Sequence, residues 1–388
     1  MRYDTARLAD FSVLQAAERR KSFDTRFFVL VVVLSAFGVV MVLSASFARA
    51  YYDPSGVTGG RATYYFVRQL LFAGLGVGAM LLASRLPMGF YRRYAAAFMI
   101  FTLVLLALVP LVGVRANGSR RWLGVGSLTL QPSELAKLAV ILLFASMICH
   151  RRSRMNSFRH GILPFLGVLG VIVGLLVLEP HFSASIIIIA IGAVMIFIGG
   201  APIGWFAAAF AVGGAGIAVL LTLFPYASSR VNTWRDPFSS SSDEGYQIVQ
   251  SLYTIGSGGL GGVGLGASRQ KYLFLPEEHN DFIFAVLCEE LGFIGAVLVL
   301  VLFALLVLRG YKIALHCRDR FSFLVTTGIT TLVAIQVFLN VAVVTNLVPC
   351  TGVSLPFFSY GGTALIIQLA EMGIVLSASR DMITEREI

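Results

Sequence analysis

Blocks of roughly twenty apolar residues recur along the chain, separated by short polar connections, and that is the length at which a helix crosses a bilayer core. Ten blocks fall near 27–48, 66–84, 94–114, 133–149, 162–178, 182–199, 203–224, 281–308, 322–346 and 363–379. Only Glu179, Pro180 and His181 separate the fifth from the sixth, so an odd number of crossings results if that pair is one broken helix. One connection is long: residues 225–280, with a serine run at 239–242 and a glycine run at 256–266. A loop of this length inside a compact membrane domain is usually functional. The pattern predicts an all-α polytopic membrane protein of about ten transmembrane helices with one long extracytoplasmic loop. A segment 1–26 precedes the membrane domain 27–379, and a tail 380–388 follows it.

Composition agrees with the pattern. Of 388 residues, 57% are hydrophobic and 13% charged, with a mean hydropathy of +0.84, too little charge for a water-facing surface. Nineteen of the thirty Lys and Arg fall in the connections that share a side with the N-terminus, among them Arg85, Arg92, Arg93, Arg151, Arg152, Arg154, Arg159, Arg309, Lys312, Arg318 and Arg320. The positive-inside rule then places both termini in the cytoplasm of a multi-pass plasma-membrane protein. The net charge of +10 is accounted for by this asymmetry and by contact with anionic headgroups, not by nucleic acid. The first 25 residues are polar, so the first apolar block reads as a retained anchor rather than a cleaved signal. Cys149, Cys288, Cys317 and Cys350 are scattered, with neither metal-ligand spacing nor a disulfide framework.

Against so apolar a background the polar residues stand out. Five of the twenty acids (Glu277, Glu278, Asp281, Glu289 and Glu290) lie in the stretch Leu275–Gly292, which runs straight into the eighth block. Carboxylates at the mouth of a span cost several kcal/mol unless paired or hydrated, and so mark working sites. Asp281 is the strongest candidate; its structural alternative is an N-cap on the eighth helix, which Asn280 could equally supply. Glu289 lies eight residues on, about 12 Å deeper along a helix, and is better placed to brace neighbouring helices than to share a metal with Asp281. Gln131 or Ser133 could cap the fourth helix, with Pro132 suiting its first turn. Glu134 and Lys137 share a face at i,i+3 and could simply pair. Lys137 lies inside a span and needs a partner, for which Glu179 is a candidate; the alternative for Glu179 is a solvated turn. Basic groups beside aromatics in the long loop (Arg230, Trp234, Arg235, Arg269, Lys271) suit a phosphate-bearing sugar, although a headgroup-facing loop has the same composition. The glycine run satisfies a dinucleotide-type spacing but lacks the flanking strand and helix, and is better explained by close backbone packing. The Pro- and Gly-rich segment Asn346–Thr363 reads as re-entrant and as one wall of a wet cavity.

Taken together these segments resemble the SEDS family, the membrane glycosyltransferases of shape, elongation, division and sporulation that include RodA, FtsW and SpoVE. The matching pieces are Gly38–Ser46, Arg121-Trp122, Gln131–Lys137, Gly245-Tyr-Gln, Ile255–Gly259, Gly264-Leu-Gly with Gln270-Lys271, Leu275–Ala285, Glu289–Gly292 and Leu355–Gly362. They run in family order along nearly the whole chain. The resemblance implies a ten-helix fold that polymerises lipid II into glycan strands on the outer face, with Asp281 essential and Lys137, Arg121 and Trp122 in the outward cavity. It implies a class B penicillin-binding protein as partner, within divisome or elongasome assemblies. The chain departs from the family where Glu179-Pro180-His181 replaces the common Gln-Pro-Asp, which puts the usual lysine–aspartate bridge in question. Milder changes are Asn280 for Thr and Cys350 for Val.

These readings give a chemical expectation. Asp281 is the catalytic base in an inverting transfer with an undecaprenyl pyrophosphate leaving group. Arg121, Trp122, Lys137, Glu179, Arg269, Lys271 and Ser359 bind substrate. A divalent cation (Mg²⁺ or Mn²⁺) at Asp281 is chemically reasonable, though no motif requires it. The competing expectations are a lipid II flippase, which calls for repeat symmetry or broken helices, and a scaffold for the transpeptidase.

Overall fold

The structure is a computed structural model that describes residues 23–53, 56–116, 119–125, 128–179, 181–211, 214, 232–240 and 245–382. The helices, in order, are α1 (Thr25–Tyr51), α2 (Tyr64–Arg85), α3 (Met88–Val112), α4 (Pro132–Arg151), α5 (Leu163–Leu178), α6 (Phe182–Ile198), α7 (Tyr246–Ser257), α8 (Ile283–Leu315), α9 (Arg320–Val344) and α10 (Gly362–Ser379). Eight are long and apolar enough to span a membrane, and α6 adds an apolar helix of 17 residues. The predicted seventh span is helical over 203–211, and most of it lies outside the described residues, as do Arg230, most of the segment 1–26 and most of the tail. Glu179 and His181 flank a turn between packed helices, so α5 and α6 form a hairpin, not one broken span.

Burial sorts the helices. In α4, α9 and α10 about 72% of the apolar window is enclosed, against 22–33% in α2, α3, α5 and α8. The enclosed helices carry the intramembrane polar residues Glu134, Lys137, Gln336, Asn340, Gln368 and Glu371, where lipid cannot reach them. α10 packs along α2, α8 along α9 and α1, and α4 among α3, α6 and α9.

The helix ends divide by charge. At one end Asp24 caps α1, accepting from the Phe27 N–H at 2.8 Å, and takes three contacts from the Arg309 guanidinium at 2.6, 3.0 and 3.2 Å. Arg320 donates to the Gly199 carbonyl at 3.0 Å at the same end. The opposite end holds the polar loops and the cavity described below.

Two features depart from the sequence expectation. Between α3 and α4 the chain folds into a small antiparallel sheet, β1 (Val114–Ala116), β2 (Ser119–Val125) and β3 (Leu128–Leu130), with Val114 opposite Trp122 and Leu123 opposite Leu130. The protein is therefore all-α in its spans but not in this loop. The eighth span is also not one continuous helix: Gly292 has φ +67° and interrupts α8. The helical hydrogen bonds lost there are replaced by the glycine run that follows α7. Val263 and Gly264 donate to the Glu289 and Glu290 carbonyls at 3.0 and 2.9 Å, and Phe293 and Ile294 donate to Gly259 and Leu260 at 2.9 and 3.1 Å. Glycine is required on both sides: a Cβ on Gly262 would stand 2.2 Å from the Glu290 carbonyl oxygen, and one on Gly292 2.3 Å from the Gly262 nitrogen.

Candidate active site at the polar end of the bundle

The loop 277–282 is stitched to the segment 353–360. Asn340 of α9 donates at 2.8 Å to the Asp281 carbonyl and at 2.7 Å to that of Val353. The Ser359 hydroxyl donates to the Asn280 carbonyl at 2.7 Å and accepts from the Leu355 N–H at 2.8 Å. The Tyr360 N–H reaches the His279 carbonyl at 2.9 Å, and the His279 ring sits 4.9 Å from that of Tyr65. Beneath, Glu278 is fully buried and takes Arg49 at 2.8 Å. The re-entrant segment is thus a wall fixed by hydrogen bonds, as its prolines and glycines suggested.

Between this wall, the sheet and the ends of α4, α6 and α10 lies a cavity of about 230 Å³ lined by Arg121, Trp122, Lys137, Asp281 and Ser359, among others. Five of the eight residues singled out from the sequence therefore meet in one place. Asp281 does not cap α8: that helix starts at Ile283 without a side-chain cap. Its carboxyl faces the cavity so closely past Gly352 that a Cβ there would stand 2.6 Å from Oδ2. Burial and the neighbouring Glu277 push Asp281 up to about 7, against the pull of Arg121. Arg121 is itself drawn down by burial and supported in its charge by Asp281 and Glu179. Lys137, 3% exposed, binds Glu134 at 2.7 Å, the local pairing that the i,i+3 spacing allowed.

Three expectations need correction. Glu179 is not the counter-ion of Lys137. It is 1% exposed, both carboxyl oxygens lack a hydrogen-bond partner among the described residues, and burial raises it to about 8 with Arg121 the opposing charge. Lys271 does not reach the cavity. It is buried and spent on Glu290 at 2.9 Å, Ser44 at 3.0 Å and the Gly266 carbonyl at 2.6 Å. Arg269 is exposed outside the cavity, with its N–H on Glu289 at 3.0 Å. Glu289, which also takes the Ser268 hydroxyl, braces this loop and not the neighbouring helices that its depth suggested.

Gln336, Gly352 and Gln368 also line the cavity and were not singled out from the sequence, whereas Glu277, one of the five acids of the stretch Leu275–Gly292, joins Asp281 there. The signal for the two glutamines was present, since a lone amide inside an apolar helix is as informative as a charge. His181 also lines the cavity; burial and the nearby Arg121 and Lys137 push it down to about 3, so it stands there as a neutral ring.

Among the described residues no group of three or more His, Cys, Asp or Glu side chains could hold a metal ion. The donor set fits a hard cation only in the manner of Mg²⁺, which takes one or two carboxylates and completes its shell with water and substrate phosphate.

A profile of the cell cycle protein family FtsW/RodA/SpoVE matches residues 24–383. Stage V sporulation protein E of Bacillus subtilis is 40% identical over 93% of this chain and 98% of its own length. A probable peptidoglycan glycosyltransferase FtsW of Saccharophagus degradans is 37% identical over 94% of each. Among solved structures, Rod shape determining protein RodA of Thermus thermophilus superposes with a TM-score of 0.66 at 28% identity, covering 94% of this chain and 99% of that one. A chain from a work on "structural coordination of polymerization and crosslinking by a peptidoglycan synthase complex" superposes with a TM-score of 0.78 at 32% identity, covering 93% and 98%. The match extends along the whole bundle and both walls of the cavity, and the chain is a multi-pass membrane protein of the FtsW/RodA/SpoVE family.

Proposed function

We propose that the protein is a peptidoglycan glycosyltransferase that polymerises lipid II at the polar end of its bundle, on the outer face of the cytoplasmic membrane. The observation that carries this reading is Asp281: a carboxyl that caps nothing, faces a cavity and shares it with Arg121 and Lys137. The names of the FtsW relative and of the peptidoglycan synthase complex point to the same activity.

In this reaction Asp281 takes the proton of the acceptor sugar's 4-hydroxyl, whose oxygen bonds to the donor's anomeric carbon. The bond from that carbon to the undecaprenyl pyrophosphate breaks, the electron pair leaves on the pyrophosphate oxygen, and the configuration inverts. A base held up near 7 is matched to proton abstraction at neutral pH. Arg121 and Lys137 supply the positive charge that the leaving pyrophosphate requires, in a site where low dielectric strengthens it. Ser359 fixes the wall through Asn280 and Leu355. A divalent cation, where bound, would be held by Asp281 with phosphate and water, and would neutralise the leaving group.

An enzyme facing one compartment accounts for a cavity confined to one end. The break in α8 meets one expectation for a carrier, but it is closed by backbone hydrogen bonds from the glycine run and is the sole such interruption of a span among the described residues. A class B penicillin-binding protein is the proposed partner, supported by the synthase complex among the similar structures. The test is glycan formation from purified lipid II, with and without that partner. Asp281→Asn should lower turnover by at least about a hundredfold while leaving folding and lipid II binding intact; retained turnover would remove Asp281 from the chemistry.

A further inference from the structure

The cavity has a second lobe, of about 190 Å³, that the mechanism above leaves unused. Trp122, Gln131, Asn280, Tyr360, Gly361 and Ala364 line both lobes, and so form a neck between them. Beyond the neck the cation is Arg68 of α2. Its guanidinium donates to the Tyr64 hydroxyl at 2.6 Å and lies over that ring, which fixes it on the lobe wall. The first turn of α10 also faces the lobe through Gly362 and Thr363, and the Thr363 hydroxyl ties it to the Thr129 carbonyl at 2.7 Å. In the neck the buried Asn280 Oδ1 has no hydrogen-bond partner among the described residues. Next to Arg68, Val67 and Leu71 are 48% and 62% exposed, so the lobe opens beside an apolar flank.

We propose that this lobe holds the pyrophosphate of the sugar acceptor, with Arg68 as its binding residue. The inference rests on the polymerase reading. Polymerisation brings together two molecules that each carry a membrane-anchored pyrophosphate, and only one of these leaves. The acceptor's hydroxyl must lie at Asp281, so its own pyrophosphate lies a disaccharide away and cannot share Arg121 and Lys137 with the leaving group. Two lobes, each with its own cation and joined by a neck bearing two aromatic rings, satisfy that requirement. Guanidinium recognises phosphate by paired charge-assisted hydrogen bonds, and the orphan N–H groups of a helix start add to it. The acceptor's own bond to pyrophosphate stays intact; the bond that forms and the bond that breaks are both in the first lobe.

The test compares wild type, Arg68→Gln and Arg68→Lys as full-length protein. The donor is a lipid II analogue with its 4-hydroxyl blocked, and the acceptor is either lipid II or the same disaccharide-peptide without pyrophosphate and lipid. Arg68→Gln should raise the KM for lipid II as acceptor about tenfold, the effect of one lost charge-assisted contact, with kcat within about twofold. Donor KM and use of the truncated acceptor should not change, and Arg68→Lys should recover part of the loss. In an Asp281→Asn background lipid II should bind as two molecules per chain, and replacing Arg68 should weaken one of the two binding steps about tenfold while leaving the other unchanged. An unchanged acceptor KM, an equal loss on the donor, or a single bound lipid II whatever stands at position 68 would overturn the assignment while leaving the polymerase reading intact. A wild type that makes no glycan would instead overturn that reading, and the acceptor role with it.

Discussion

At the scale of single residues the site is governed by one carboxyl and the charges around it. Asp281 is raised to about 7 by burial and by Glu277, and lowered by Arg121. The base acts when deprotonated, so turnover should fall as pH drops through about 7. Glu277→Gln removes a neighbouring negative charge and should move this acid limb to lower pH, while Arg121→Gln should move it higher. A pH–rate profile of kcat/KM for the three proteins decides the matter; an acid limb indifferent to both substitutions would mean that another group sets it. Asp281 was legible in the sequence because an acid at the mouth of a span is costly and therefore rare. Glu179 was legible as a candidate counter-ion but not as to its partner, because a three-residue turn does not fix which cation its side chain meets. Lys137 took the acid one turn back on its own helix.

Between elements, the structure depends on contacts that local periodicity does not encode. The spans were readable from their apolar length, and nearly all lie where expected. The break at Gly292 was not, because its compensating hydrogen bonds come from a glycine run about thirty residues earlier. Lys271 was misplaced for the same reason: a lysine after a glycine-rich loop reads as a phosphate ligand, but it is buried against Glu290 and Ser44 beneath that junction. Removing one partner of a buried ion pair leaves the other charge stranded. Lys271→Met should therefore destabilise the protein by about 3 kcal/mol in thermal unfolding in detergent, with less than additive loss when combined with Glu290→Gln. Activity per folded molecule should stay near wild type, because Lys271 does not line the cavity. A stable Lys271→Met protein with impaired lipid II binding would return Lys271 to the substrate site.

For the whole molecule, the two ends of the bundle have separate jobs, and their sidedness follows from charge. The arginine-rich connections and the Asp24–Arg309 clasp gather at one end, and the cavity, the sheet and the re-entrant wall at the other. By the positive-inside rule the charge bias predicts that the first end lies in the cytoplasm, with the cavity turned towards the outer compartment, where the proposed polymerase would act. Two single-cysteine variants in a background without the native cysteines test this. Arg61→Cys lies exposed at the cavity end and Ser153→Cys exposed at the arginine-rich end. In intact cells a membrane-impermeant maleimide should label Arg61→Cys and spare Ser153→Cys until the membrane is permeabilised. The reverse pattern would place the cavity in the cytoplasm, where Asp281 could meet lipid II only before its translocation, and a role in carrying the lipid would then explain the site better than polymerisation.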